Sequence, residues 1–246
     1  ADLLSAESLE KYMVKVSNKV KYKKVEQLKN YLLHFAYENF KKKTAELGMT
    51  AEFTTFCEQE AYWLDDYALF LVLKKSYGDK PWQDWPAEFK NRDPKALKAI
   101  VNKQGDLVDE IKWQQFIFHQ QWASLKKYAN SRNILLIGDL PFYAALDSAD
   151  VWSSPELFRM DEQGQALGMA GVPPDYFNEN GQLWGMPVYN WEAMAQKGYA
   201  WWVSRLRKNK QLYDLIRLDH FRAFCAYWEV PAGSETAKTG SWKPGP

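Results

Sequence analysis

Leu212-Tyr213-Asp214-Leu215-Ile216-Arg217-Leu218-Asp219-His220-Phe221-Arg222 is the stretch on which the fold reading turns. Within residues 211–219, Leu212, Leu215, Ile216 and Leu218 lead up to Asp219, a run of strand length rather than helix length. A sibling stands upstream near 133–139, where Ile134-Leu135-Leu136-Ile137 is followed by Gly138-Asp139-Leu140-Pro141. Both profiles predict strands buried on both faces, as in a parallel sheet. Parallel neighbours need a crossover, and residues 192–209 can supply its helix. Each strand ends on an aspartate. Ligands of α/β sheets and barrels bind beyond the carboxyl ends of the strands, so Asp139 and Asp219 fall where chemistry is expected.

Side chains alternate along a strand, which puts Arg217 and Asp219 on one face and Leu218 on the other. A guanidinium two residues before a carboxylate would keep it ionised and fix its direction. Those are the properties of a carboxylate nucleophile in glycoside chemistry. By spacing alone, a structural Arg–Asp pair at a strand end is the stronger reading.

The connection between the two strands exceeds what a crossover helix requires. Residues 141–191 are left over, rich in Pro, Gly, Asn and aromatics around Val172-Pro173-Pro174-Asp175, and are expected to project over the strand ends as part of a cleft. Upstream, the first 130 residues read as successive helices. Val25, Leu28, Leu32, Phe35, Ala36 and Phe40 recur at helical spacing, a second helix covers Phe53 to Tyr77, and a third runs from about Asp109 to Ala129 with Phe118, Trp122 and Leu125 on one stripe. The lysines from Lys21 to Lys43 read as a solvated face. Residues 1–130 are thus expected to form a mainly helical subdomain, and 131–246 the sheet-forming part.

Composition narrows the function classes. With 32 Lys and Arg against 31 Asp and Glu, the formal net charge is +1, which offers no field for nucleic acid or an anionic membrane. No apolar run approaches bilayer length, and Ala1-Asp2-Leu3-Leu4 lacks the pattern of a secretory leader. Cys57 and Cys225 lie in no metal or redox spacing and read as reduced thiols, which suits the cytoplasm. Aromatics make up 16% of the chain, including 12 Trp and 14 Tyr. An aromatic core explains that figure, and so does a cleft in which sugar faces stack on rings.

Read together, several segments carry a resemblance. In order they are Gly138-Asp139-Leu140-Pro141-Phe142-Tyr143, Asp147-Ser148-Ala149-Asp150-Val151-Trp152, Ala170-Gly171-Val172-Pro173-Pro174-Asp175-Tyr176-Phe177, Gly181-Gln182-Leu183-Trp184-Gly185 and Arg217 to Arg222. The series resembles the 4-α-glucanotransferases, or amylomaltases, of glycoside hydrolase family 77. Trp63 to Phe70 and Pro81-Trp82-Gln83-Asp84-Trp85-Pro86 are similar to that family as well, so the likeness runs from about Phe53 to the end.

The resemblance implies an α/β fold, part of a (β/α)8 barrel of the α-amylase clan with large, mostly helical insertions. It implies Asp219 as the nucleophile, Arg217 as its arginine partner, and Asp139 as a carboxylate supporting the sugar. Asp175, Tyr176, Phe177, Gln182 and Trp184 match a mobile loop that folds over a bound glucan. His220 is open between a sugar contact and a core histidine. The implied substrates are α-1,4-glucans and maltooligosaccharides, with no metal or organic cofactor. Ala223 departs from the usual Gly and Met186 from the usual Asn. The family's acid/base glutamate lies beyond the matched positions, so these 246 residues alone are expected to be inactive and the working protein to be roughly twice as long. The alternatives are a hydrolase of the same clan and a non-catalytic glucan-binding module.

Overall fold

The two strand runs pair with each other in parallel. In the computed structural model, which describes residues 3–5, 9–10, 18–47 and 50–246, β1 (Ile137–Leu140) lies beside β4 (Leu215–Leu218), with Ile137 opposite Leu215 and Asp139 opposite Arg217. Ala1 and Asp2, part of the segment read for a leader, lie outside the described residues. The strands are shorter than expected. Ile134 and Leu135 stand exposed before β1, and the helix preceding β4 runs on to Leu212. They are also not buried on both faces. Burial alternates along each strand, with Gly138 and Leu140 inside and Ile137, Asp139, Leu215 and Arg217 outside. Within this pair only one face is covered, so alternation replaces the all-apolar burial of a fully flanked parallel sheet.

The register of the pair is held from one end by Asp214. Its Oδ2 accepts from the backbone N–H of Leu136 at 2.8 Å and from Asn130 Nδ2 at 2.8 Å, while its own N–H donates to the Leu136 carbonyl at 3.0 Å. Lys126 adds an ion pair at 3.4 Å. One side chain thus joins the start of β4, the approach to β1 and the end of the preceding long helix.

Among the described residues, the helices that lead up to β1 include α1 (Tyr22–Leu47), α2 (Thr50–Ser76), the short α3 (Ala87–Lys90) and α4 (Pro94–Asn130). The α4 helix is longer than its periodicity indicated. It starts where Asp93 caps it, accepting from Lys95 N at 3.0 Å and Ala96 N at 2.9 Å with Pro94 in the first turn. A kink at Gln104, beside Gly105, divides it, and only the arm beyond the kink carries the expected pattern. The Phe118–Trp122–Leu125 stripe is not a core stripe: Phe118 and Leu125 are exposed, and Trp122 donates to the Leu212 carbonyl at 2.8 Å.

Ala36, Tyr37 and Phe40 of α1 close on Phe56 and Leu64 of α2 and on Trp113 and Phe116 of α4. The carboxyl half of α2 belongs elsewhere. Leu69, Phe70 and Leu73 join Leu140, Phe142, Trp152, Tyr189, Trp202 and Tyr227 in a second core that crosses position 130.

Residues 141–191 are not a simple loop. They form α5 (Ala149–Ser153), β2 (Gly168–Val172) and β3 (Gln182–Pro187), and they end at α6 (Trp191–Gln196). The crossover helix is α7 (Ala200–Leu212). β2 and β3 join β5 (Ala226–Pro231) and β6 (Ser241–Pro244) in an antiparallel sheet ordered β3-β2-β5-β6. The insertion is therefore pinned by strands that follow β4, a long-range pairing with no local signal. Glu229 on β5 is buried and takes two hydrogen bonds from Arg159.

The hydrogen bonds to Asp214 hold its carboxyl below the ordinary value of 3.8, the Leu136 N–H first and Asn130 next. A carboxylate with a depressed folded pKa stabilises fully above its unfolded value and loses that contribution as pH falls below it. The stability gap between wild type and Asp214→Asn is therefore expected to be full above about pH 4 and to close at lower pH. Urea midpoints from pH 6 to pH 3 would show this; a gap constant down to pH 3 would contradict it.

Candidate active site

The register that pairs Asp139 with Arg217 gathers the strand-end charges. Arg217 donates from Nη2 to Asp219 Oδ1 at 2.9 Å, and its Nε forms an ion pair with Asp139 Oδ1 at 3.0 Å. One planar guanidinium thus holds two carboxylates from different strands. Asp219 lies one residue past β4, and its N–H donates to the Leu140 carbonyl at 3.1 Å, so backbone as well as side chain fixes it. The three groups are more than half exposed, at 63%, 60% and 56%. Exposed pairs contribute about 0–1 kcal/mol, so this arrangement acts on direction rather than on stability. Asp139 sits inside β1 rather than at its end, because the strand continues through Leu140.

Two close backbone passages shape this end of the pair. A Cβ at Gly138 would come within 2.2 Å of the Tyr213 ring, so glycine is required where that ring crosses β1. His220 takes a left-handed conformation, φ 47° and ψ 39°, that turns the chain sharply after Asp219. Its ring meets Trp184 edge-on with centroids 5.0 Å apart, and Tyr143 and Phe142 lie at 6.3 and 6.2 Å. Its Nε2 is buried and has no hydrogen-bond partner. Burial lowers the ring's pKa from its ordinary 6.5, Asp219 pulls it upward and Arg222 pushes it down.

Of the expected loop residues, the structure joins Trp184 and Gln182 to this group. Trp184 reaches His220 and, at 6.1 Å, Tyr143, while its indole N–H donates to Gln182 Oε1 at 3.0 Å. Asp175, Tyr176 and Phe177 stand apart from it. Asp175 Oδ1 accepts from Phe177 N at 2.9 Å and Asn178 N at 2.8 Å, which makes it the organiser of its own turn. Tyr176 and Phe177 are 97% and 93% exposed and touch each other edge to face. Ala223 is fully buried and Met186 packs against the second core.

Sequence reasoning missed one contact and one member of the group. The Arg217–Asp139 ion pair needs the register, which sets the two outward-pointing residues at matching positions of parallel strands. Tyr143 was quoted only within a motif, yet it stacks on Tyr189 at 5.6 Å and forms the floor beneath His220 and Trp184. Among the described residues, no group of three or more His, Cys, Asp or Glu is placed to hold a metal, and no helix is long and apolar enough to cross a membrane.

Parallel strands joined by a helical crossover, with carboxylates near their carboxyl ends, make this an α/β protein. A family model described as 4-alpha-glucanotransferase matches residues 2–246, and the chain belongs to that family. It is 46% identical over 226 residues to a 4-alpha-glucanotransferase of Aquifex aeolicus, covering 92% of this chain and 45% of that protein. A chloroplastic/amyloplastic 4-alpha-glucanotransferase of Solanum tuberosum is 37% identical over 230 residues, 94% of this chain and 40% of the relative. An amylomaltase from Streptococcus agalactiae, solved in complex with acarbose, superposes with a TM-score of 0.88 at 36% identity, over 97% of this chain and 50% of that one. The chain thus spans about half the length of these relatives or less. Its fold is part of a (β/α)8 barrel of the α-amylase clan with large, mostly helical insertions.

The causes acting on His220 can be separated by titration. Its NMR midpoint is expected below 6.5. Asp219→Asn should lower it further by removing the charge that raises it, and Arg222→Gln should raise it. A midpoint that climbs in Asp219→Asn would show that the two side chains do not face each other as described.

Proposed function

We propose that this chain is the nucleophile-bearing part of a 4-α-glucanotransferase, which moves α-1,4-glucan segments between maltooligosaccharides by retaining double displacement. The observation that carries the reading is the Arg217 guanidinium joined to Asp139 and Asp219 at the carboxyl ends of parallel strands, in a chain of this family. Asp219 attacks the anomeric carbon as the bond to the leaving glucan oxygen breaks and that oxygen takes a proton. A covalent glucosyl-enzyme results. The 4-hydroxyl of a second glucan then gives up its proton, attacks the same carbon and releases Asp219. Arg217 keeps the carboxylate ionised and aimed, and Asp139 accepts hydroxyl hydrogen bonds from the sugar. The chemistry moves protons and glycosyl groups only and calls for no metal or organic cofactor.

The proton donor must sit about 5–5.5 Å from the nucleophile in a retaining enzyme. Other carboxylates within the chain are committed: Asp147 to Lys74, Glu229 to Arg159, and Asp175 to its own turn. We therefore assign the acid/base to a carboxyl outside these 246 residues and expect them to be inactive alone. We take residues 1–130 as a mainly helical insertion and 131–246 as the barrel part. The free Cys57 and Cys225 suit the cytoplasm. The potato relative's chloroplastic/amyloplastic name keeps an organelle as the alternative.

Over the strand ends, Trp184 lies beside His220, while the loop of Asp175, Tyr176 and Phe177 remains outside. Closure of that loop on a bound glucan would bring its rings to the sugar and exclude water, so that a second glucan is the favoured acceptor.

Two experiments test the reading. In the full-length protein, Asp219→Asn should reduce maltotriose disproportionation by about 10⁴-fold or more with folding intact. Retention of a tenth of the activity would remove Asp219 from the role. Trp184→Ala should weaken glucan binding by roughly 0.5–1.5 kcal/mol, taking aromatic pairs as the guide, and raise the proportion of hydrolysis. An unchanged ratio of transfer to hydrolysis on maltotriose would speak against the covering role. Glucose and maltose as the sole products of the wild-type enzyme would favour a hydrolase.

A further inference from the structure

A second cleft lies across α7 from the parallel strands and shares no residue with the strand-end group. It holds about 490 Å³, within the roughly 300–1,000 Å³ of small-molecule sites. Its walls come from α2, from the segment between α5 and Leu157, and from the outer face of α7. Trp202 and Leu206 take the opposite side of α7 into the core.

The lining combines rings with balanced charge. Tyr62, Trp63, Tyr67 and Trp201 supply aromatic surface, and Trp63 and Tyr67 lie 5.8 Å apart at 55°. Asp66, Asp150 and Glu156 are matched by Lys197, Arg205 and Lys208. Most of these charges already have partners. Lys197 holds Glu156 at 2.5 Å, Lys208 holds Glu60 at 2.6 Å, and Asp66 holds Arg92 at 2.6 Å. Arg205 donates to the Phe142 carbonyl at 3.0 Å and lies 5.1 Å from the centre of the Trp201 ring. A charged ligand would gain little here, since each sign meets its opposite nearby. Ser153, Ser154, Ser204 and Asn209 add hydroxyl and amide groups. A neutral molecule with apolar faces and a rim of hydroxyls satisfies both parts of this surface.

We propose that this cleft is a second sugar site, separate from the strand-end carboxylates, that takes pyranose units of an α-1,4-glucan. The polyhydroxylated ring follows from the lining itself; the choice of an α-glucan rests on the function proposed above. The site anchors a distant stretch of the polymer and performs no chemistry. Such anchoring raises the local concentration of chain ends at the strand-end site.

The test uses the full-length protein carrying Asp219→Asn, so that glucan is bound without turnover. Titration with maltoheptaose should resolve two binding events, one of which shifts the indole N–H signals of Trp63 and Trp201. Adding Tyr62→Ala, whose ring is 56% exposed, should weaken that event about three- to ten-fold. Ser204→Trp, which fills the cleft, should abolish it. Indole signals that do not move with maltoheptaose, or a second event that survives Ser204→Trp, would overturn the proposal. Cellohexaose bound in place of maltoheptaose would overturn the α-glucan assignment. Failure of the strand-end reading is separately visible, as absence of maltotriose disproportionation by the unmodified protein.

Discussion

The strand-end group depends on the register of β1 against β4. Side chains alternate in direction, so a slip of one residue would turn Asp139 away from Arg217 and leave the guanidinium with one carboxylate. Nothing in the pairing of Ile137 with Leu215 or of Leu140 with Leu218 is specific enough to prevent that slip, since one aliphatic contact resembles another. The specificity comes from Asp214, whose carboxylate accepts from the backbone of Leu136, just before β1, and from Asn130 in the last turn of α4. A polar clamp outside the site thus sets the geometry inside it. The Tyr213 ring over Gly138 reinforces it, because Gly138 is the one residue of β1 without a Cβ to meet that ring.

What the sequence revealed follows the range of the forces involved. Helices with one apolar face were legible because their signal lies within a few turns. The first arm of α4 escaped despite its Asp93-Pro94 cap, because its apolar pattern is broken at Gln104 and Gly105. The parallel pair was legible in kind but not in extent, since apolar Ile134 and Leu135 continue the run without pairing. The antiparallel sheet was missed altogether. Its strands come from both sides of β4, and short segments such as Gly168–Val172 mean little until Ala226–Pro231 lies beside them. In the site, Arg217 and Asp219 could be joined by spacing, whereas the ion pair to Asp139 and the position of Tyr143 are properties of the folded chain.

The abundance of aromatic residues has a divided explanation. Trp82, Trp85, Trp113, Trp152 and Trp202 are buried, and they hold insertion, helices and strands together through edge-to-face and tilted contacts. Several satisfy their indole N–H on a loop carbonyl, as Trp82 does on Leu146 and Trp85 on Lys80, so they fix loops as well as fill volume. Exposed rings fall in separate places, among them Tyr176 with Phe177, Tyr62 on α2, Phe118 on α4 and Phe221 just past Asp219.

The left-handed turn at His220 has a consequence for anyone who would redesign this part of the chain. A side chain branched at Cβ is held off that backbone conformation by its own carbonyl, at about 1–2 kcal/mol, whereas Gly, Asn and Asp adopt it readily. A randomised library at position 220 would therefore be sorted twice, first by backbone conformation and then by whatever chemistry the new side chain brought. Variants with Val, Ile or Thr would strain the turn beside Asp219 before their own chemistry could be measured. The palette open to evolution beside the carboxylate is narrower than the space around it suggests.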